Sequence, residues 1–127
     1  MTRGSTGFTL IEVMVALAVI AIAMAALIMA TGHAADDALY LQRRTLATWI
    51  AADRLAELRL RRLSPGPGSR DSGERELAGV RWQWRQAAQA SPDPAFVQVI
   101  VSVGPPDRPQ RSDARLLALF PRSGAQR

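Results

Sequence analysis

The chain has 127 residues, no cysteine and a formal net charge of +5. Its length suits one small domain, and the lack of cysteine excludes disulfides, thiolate catalysis and cysteine-based zinc sites. All 16 basic residues are arginine, scattered among 11 acidic residues. This pattern predicts a mixed-charge surface rather than the dense basic stripe that binds nucleic acid.

The N-terminal quarter is almost entirely apolar. The 18 residues from Val13 to Ala30 carry no charge, and Thr31 and Gly32 extend the run to 20. As a helix, about 20 residues span about 30 Å, the thickness of the hydrocarbon core of a bilayer. The alternative is a cleaved secretory signal, but its apolar region is shorter, roughly 7–15 residues. The sequence therefore predicts a single membrane-spanning helix.

Glu12 stands at the edge of this apolar run. A charged side chain at membrane depth is costly, so a function is expected for it. The run also contains small residues four apart, Ala21 with Ala25 and Ala26 with Ala30. Such pairs allow two helices to approach closely, which favours a segment that packs against other helices.

The segment Gly7-Phe8-Thr9-Leu10-Ile11-Glu12, with the apolar run behind it, resembles the class III signal of type IV pilins and pseudopilins. The resemblance implies that a prepilin peptidase removes residues 1–7 by cutting between Gly7 and Phe8, and then methylates the new amine of Phe8. It also implies that Glu12 pairs with the N-terminal amine of a neighbouring subunit in a filament core. The cost of the carboxylate would be offset there, because opposite charges attract strongly at low dielectric. The alternative interpretation is an N-terminal membrane anchor in which the glutamate at the edge has no function.

The apolar run continues into a longer helical pattern, since no proline occurs between Phe8 and Leu63 and Gly32 is the only glycine. We expect residues 8–32 to form the membrane and filament-core helix and residues 33–63 its periplasmic half. Two apolar stripes follow this second half, roughly 90° apart. We assign the stripe Trp49, Ala52, Ala56, Leu60 and Leu63 to this chain's own sheet. We assign the stripe Leu39, Leu46 and Ile50 to the helix of a partner. The alternative is one wide core-facing stripe with some exposed leucines.

Residues 64–127 are expected to form a β-sheet region. The segment Ser64-Pro65-Gly66-Pro67-Gly68-Ser69 ends the helix and opens a loop that runs to about Gly73. Three runs with strand character follow, at Val80 to Arg85, Val97 to Val103 and Arg115 to Phe120. We therefore predict an α+β fold, in which a long helix packs on a small antiparallel sheet of about three strands.

The second half of the chain resembles the I-type minor pseudopilins of type II secretion. The similarity lies in the helical stretch Thr45 to Arg59, in Trp82-x-Trp84 and in Ser91-Pro92-Asp93-Pro94. The resemblance implies a structural subunit of a pseudopilus tip complex, with J-type and K-type and possibly H-type pseudopilins as partners. It also implies an inner-membrane anchor, a periplasmic C-terminal region and contact with the inner-membrane secretion platform.

Two other functions remain open at this point. One is a minor pilin of a type IV pilus or competence system that binds a surface or DNA. The other is a plain membrane-anchored periplasmic protein. An enzyme is not predicted, because the sequence has no histidine cluster, no glycine-rich phosphate loop and no paired carboxylates. We expect no catalytic residue, no cofactor, no metal and no nucleic-acid partner.

Overall fold

The computed structural model describes residues 7–124, so the predicted leader lies outside the described residues except for Gly7. The chain divides into two compact units, Met1–Leu39 and Tyr40–Arg127. Helix α1 spans Leu10–Leu60. Four strands follow it, β1 Arg70–Leu77, β2 Val80–Ala90, β3 Phe96–Gly104 and β4 Ala114–Pro121.

The described part of the first unit is helical and exposes its large apolar side chains. Within residues 7–124, α1 is the one helix that is long and apolar enough, by length and composition, to cross a membrane. Gly32 lies inside α1. The prediction of one long helix without a proline break is therefore confirmed, and the helix begins and ends inside the predicted range 8–63.

The helix ends in a hydrogen-bonded cap. The amide of Leu63 donates to the carbonyl of Leu58 at 2.9 Å, and the amide of Arg62 donates to the carbonyl of Arg59 at 3.1 Å. This pair of bonds defines a Schellman motif, which satisfies carbonyls that the helix end would otherwise leave unpaired. Arg62 takes the left-handed position of the motif with a φ of 51°, a conformation that usually favours glycine.

The sheet is an antiparallel meander in the order β1-β2-β3-β4. The tight turn between β1 and β2 has Ala78 and Gly79 at its centre, with φ of 54° and 71°. Two positive φ values are what a type I′ hairpin turn requires. The last three strands confirm the three predicted runs and extend them at their ends.

The expectation of about three strands is corrected to four. Strand β1 lies partly in the segment that we predicted to be a loop up to about Gly73. Its residues are mostly charged and exposed on both faces, so the strand has no apolar alternation. It pairs with β2 along its whole length, from Arg70 opposite Ala87 to Leu77 opposite Val80.

The core lies between α1 and one face of the sheet. The helix contributes five buried apolar residues, and the sheet contributes Trp82 and a row of valines from β3. Two of the helical residues, Ala47 and Ala51, are fully buried and small, so the helix can approach the sheet closely. The buried helical residues are Ala47, Ile50, Ala51, Leu55 and Leu58.

The assignment of the two helical faces was therefore wrong. Ile50, which we predicted to meet a partner, is 2% exposed in this chain's own core, and Leu46 packs against that core. Trp49, which we predicted to face the sheet, is 62% exposed. Both stripes have helical spacing, so spacing alone does not select the buried face. That face combines Ile50 with Ala47, Ala51, Leu55 and Leu58. Leu39 is exposed and belongs to the first unit.

Strands β1 and β4 are the two edges of the sheet, and they differ in chemistry. Strand β1 carries five charged residues among its eight. Strand β4 carries only Arg115 as a charge and exposes Leu117 and Leu119. The hydroxyl of Ser64 donates to the carbonyl of Pro121 at the end of β4.

Candidate processing and assembly sites

Gly7 and Phe8 precede the first turn of α1. Phe8 is 82% exposed, and among residues 7–124 no other group lies within 4 Å of the position that a side chain at Gly7 would take. The described structure of this chain therefore does not require glycine at position 7. Cleavage at this bond and methylation of Phe8 stay predictions.

Thr9 caps the start of the helix. The amide of Glu12 donates to the Thr9 hydroxyl oxygen at 3.3 Å and to the Thr9 carbonyl at 3.1 Å. Thr9 and Glu12 thus occupy the first and fourth positions of the pattern Thr-x-x-Glu, which favours the start of a helix. The sequence alone therefore carries a signal for the start of α1 at Thr9.

The cap also fixes where Glu12 lies. Glu12 is in the first turn of α1, at the same end of the helix as Phe8. Its negative charge is favourable there, because the helix dipole is positive at its N-terminus. The pairing of Glu12 with the amine of another subunit stays a prediction.

An exposed, uncharged stripe runs along α1 in the second unit. We call Trp49, Ala52, Ala56 and Leu60 the outer stripe; these residues are three or four positions apart and all four are exposed. They alternate with the buried residues of the same helix, so they face away from the sheet. The large apolar side chains of Trp49 and Leu60 lie at the two ends of the outer stripe, and the exposed Ala52 and Ala56 lie between them.

The helix and sheet are joined by polar contacts beside the core. Arg54, whose side chain is 18% exposed, pairs with Glu57 at 2.9 Å and with Asp71 at 2.8 Å. Its Nε also donates to Gln86 Oε1 at 3.1 Å. A second ion pair joins Asp53 of the helix to Arg75 of β1. These contacts hold the second half of the helix in one orientation on the sheet, which fixes the direction of the outer stripe.

Metal-ligating side chains do not gather in the part of the chain that the structure describes. Within residues 7–124, no group of three or more His, Cys, Asp or Glu residues is placed to hold a metal ion.

Two family models match this chain. The model of type II secretion system protein I matches residues 41–121, and the prokaryotic N-terminal methylation motif matches residues 2–28. The chain belongs to the type II secretion system protein I family. The first match covers the folded unit with its outer stripe, and the second covers Gly7, Phe8 and Glu12.

Relatives of known family agree with this assignment. The chain is 43% identical over 101 residues to type II secretion system protein I of Pseudomonas aeruginosa, covering 80% of this chain and 78% of the relative. It is 40% identical over 90 residues to the Aeromonas hydrophila protein, covering 71% and 75%.

Solved structures show the same fold. A chain in the crystal structure of the GspK-GspI-GspJ complex from the enterotoxigenic Escherichia coli type 2 secretion system matches with a TM-score of 0.55 and 27% identity. The match covers 65% of this chain and 96% of that chain. The protein is thus a pseudopilin of type II secretion, and the alternatives of a competence pilin and a plain anchor are set aside.

Proposed function

We propose that this protein is a minor pseudopilin of the tip complex that starts the type II secretion pseudopilus. Residues 8–32 anchor it in the inner membrane and form the filament core after assembly, and the residues beyond them lie in the periplasm. Membership of the protein I family supports this role, as does the similarity to a chain in a complex that contains GspK and GspJ. The role is structural, and we propose no catalysis.

The N-terminus is the processing site in this proposal. A prepilin peptidase removes residues 1–7 and methylates Phe8, which the methylation-motif match over residues 2–28 supports. Exposure of Gly7 and Phe8 ahead of the helix supports access by the peptidase. Glu12 then receives the N-terminal amine of a neighbouring subunit in the low-dielectric filament core.

The observation that carries the tip role is the outer stripe. A stripe with spacings of three and four is the pattern by which one helix packs on another. Ala52 and Ala56 let a second helix approach, and Trp49 supplies a large apolar contact beside them. We therefore propose the outer stripe as the partner surface in place of Leu46 and Ile50. Its partner in this proposal is the helix of a J-type or K-type pseudopilin, and Leu39 stays a predicted contact.

The test is co-purification of the full chain with the J-type and K-type pseudopilins of the same organism, in a nonionic detergent. We expect the double variant Ala52→Gln/Ala56→Gln to weaken the complex at least about tenfold, because two longer polar side chains hold the helices apart. Its melting temperature should stay unchanged, since both positions are exposed and glutamine is a good helix former.

Two further variants make this test specific. Arg44→Gln changes an exposed residue of the same helix outside the outer stripe and should leave the complex intact. Ile50→Ala should lower the free energy of unfolding by about 2–4 kcal/mol through a cavity in the core. It should still bind the partner at temperatures where it is folded. Unchanged binding by Ala52→Gln/Ala56→Gln would show that the outer stripe is not the contact.

A further inference from the structure

The face of the sheet that points away from α1 carries an ordered row of polar side chains. Across the four strands, Ser72 pairs with Arg85, Arg85 with Ser102, and Ser102 with Arg115. Adjacent strands are about 4.8 Å apart, so the two arginines flank one serine hydroxyl at a backbone separation of about 10 Å. We call these four residues the polar row.

The alternation of side chains places the polar row on this outer face. Trp84 and Val103, next to Arg85 and Ser102 along their strands, face the helix: Trp84 contacts Arg54 of α1, and Val103 is buried in the core. Successive side chains of a strand point to opposite faces, so Arg85 and Ser102 point away from the helix. Arg85 and Ser102 are half-buried, whereas Arg115 is exposed.

Three arginines of this face lack ion-pair partners among the described residues, whereas Arg81 on the same face pairs with Glu74 at 3.9 Å. Arg54, Arg61 and Arg75 each pair with a carboxylate of the helix or of β1. Across residues 7–124, neither Arg85 nor Arg115 forms an ion pair, and Arg70 at the start of β1 forms none either. Like charges on one face repel, so a bound anion would relieve an unfavourable interaction.

These side chains line one groove. Its volume is about 410 Å³, and its lining includes Arg70, Ser72, Arg85, Ser102 and Arg115. Asp71 also borders it, but its carboxylate is already held by Arg54. Beside the polar row the lining becomes apolar, because Ala87 pairs with Ile100 in the neighbouring row. A groove of this size exceeds the needs of one small inorganic anion.

We propose that this groove binds an acidic segment of a protein partner. A carboxylate of that segment accepts hydrogen bonds from Arg85 and Arg115 and from the hydroxyl of Ser102, and an apolar neighbour of the acidic residue lies against the half-buried Ala87. Guanidinium groups suit this ligand, since their fork of donors matches the two oxygens of a carboxylate. The site is on the opposite side of the sheet from α1 and does not depend on the proposed role of the outer stripe.

The test measures binding of a fluorescent peptide, Gly-Glu-Leu-Glu-Gly with blocked ends, to the full chain in nonionic detergent. We expect saturable binding that weakens at least about tenfold in Arg85→Gln/Arg115→Gln, since charge-assisted hydrogen bonds are lost. Arg43→Gln/Arg44→Gln removes the same charge from the helix and should bind as the unchanged protein does. A peptide with glutamine in place of glutamate should bind poorly, and Ser102→Ala should weaken binding by a smaller factor.

Other ligands are distinguished in the same assay. Competition by inorganic phosphate at equal ionic strength, with no advantage for the peptide, would identify a small-anion site and overturn the proposal. Arginine-dependent attachment to micelles doped with phosphatidylglycerol, without peptide binding, would identify a lipid site and overturn it too. If both double variants lose peptide affinity by the same factor, net charge alone is responsible, which contradicts a built groove.

Discussion

The guanidinium carbon of Arg54 lies 4.3 Å from the centroid of the Trp84 ring. The same guanidinium bonds Glu57 of the helix and Asp71 of β1, and the Trp84 ring lies over Gly73 of β1. One side chain thus joins the helix, the edge strand and its neighbour. The contact explains why the highly charged β1 is held in the fold although it contributes almost nothing to the core.

Replacing Arg54 should therefore loosen β1. We expect Arg54→Ala to lower the free energy of unfolding by about 1.5–3 kcal/mol, because Gln86 and two carboxylates lose a charged donor. Solvent screens part of this loss, since Asp71 is half-exposed. Hydrogen exchange should show that the amides of β1 lose protection before those of β3. Arg61→Ala removes a single exposed ion pair and should cost about 0.5 kcal/mol or less. Equal costs for the two variants would contradict a central role for Arg54.

Gly73 should tolerate no side chain. A Cβ at this position would lie 2.6 Å from Cζ2 of Trp84, well inside van der Waals contact. We expect Gly73→Ala to destabilise the protein by about 1–3 kcal/mol, because the ring or the strand must shift. Gly66→Ala is the matched control, since no other described group lies within 4 Å of the corresponding Cβ there. Thermal unfolding of both variants measures the difference, and the same melting temperature in both would refute the contact.

Arg62 should be replaceable by glycine with a gain in stability. Its φ of 51° lies in the left-handed region, which is strained for most side chains. We expect Arg62→Gly to raise the free energy of unfolding by about 0.5–1 kcal/mol, since the residue is exposed and glycine suits the helix cap. Arg59→Gly, one turn earlier in regular helix, should instead lower it by about 1 kcal/mol. Denaturant titrations of the pair decide the sign of each effect.

Glu12 should matter for assembly and not for insertion. We expect Glu12→Ala to be cleaved and methylated normally, which mass spectrometry of the membrane fraction measures, because loss of the charge makes the segment more apolar. Export of a type II substrate should fall, since an unpaired amine entering the filament core costs about 3–5 kcal/mol. Glu12→Asp keeps the charge on a shorter side chain and should retain part of the export. Full export by Glu12→Ala would argue against the pairing role.

The fold was largely predictable where one face of an element is buried. Alternation of valines and tryptophans indicated β2 and β3, and the absence of proline indicated the extent of the helix. Strand β1 was not predicted because it has no apolar alternation. It is held by pairing with β2 and by the bond from Arg54 to Asp71. Its turn, Ala78-Gly79, also lacks the asparagine or aspartate that usually marks a type I′ hairpin.

The helical faces show a different limit. Periodicity locates two apolar stripes but does not say which of them meets the sheet, because both satisfy helical spacing. The buried face brings Ala47 and Ala51 onto the sheet together with Ile50, Leu55 and Leu58, and neither predicted stripe included the two alanines. The processing site was predicted from the Gly7 to Glu12 pattern and stays a prediction. The polar row could not be predicted from the sequence, because its four residues come from four strands whose register is known only from the sheet.

The unequal edges of the sheet bear on the behaviour of the protein before it meets its partners. An unpaired edge strand is a template for aggregation, and fibres require two receptive edges in each molecule so that growth can propagate. Strand β4, which exposes Leu117 and Leu119, can pair with an edge strand of another molecule. Strand β1 cannot, because an approaching strand meets alternating charges on both of its faces. Edge-to-edge association therefore ends after one addition, which keeps an unassembled pool of this subunit from polymerising through its sheets.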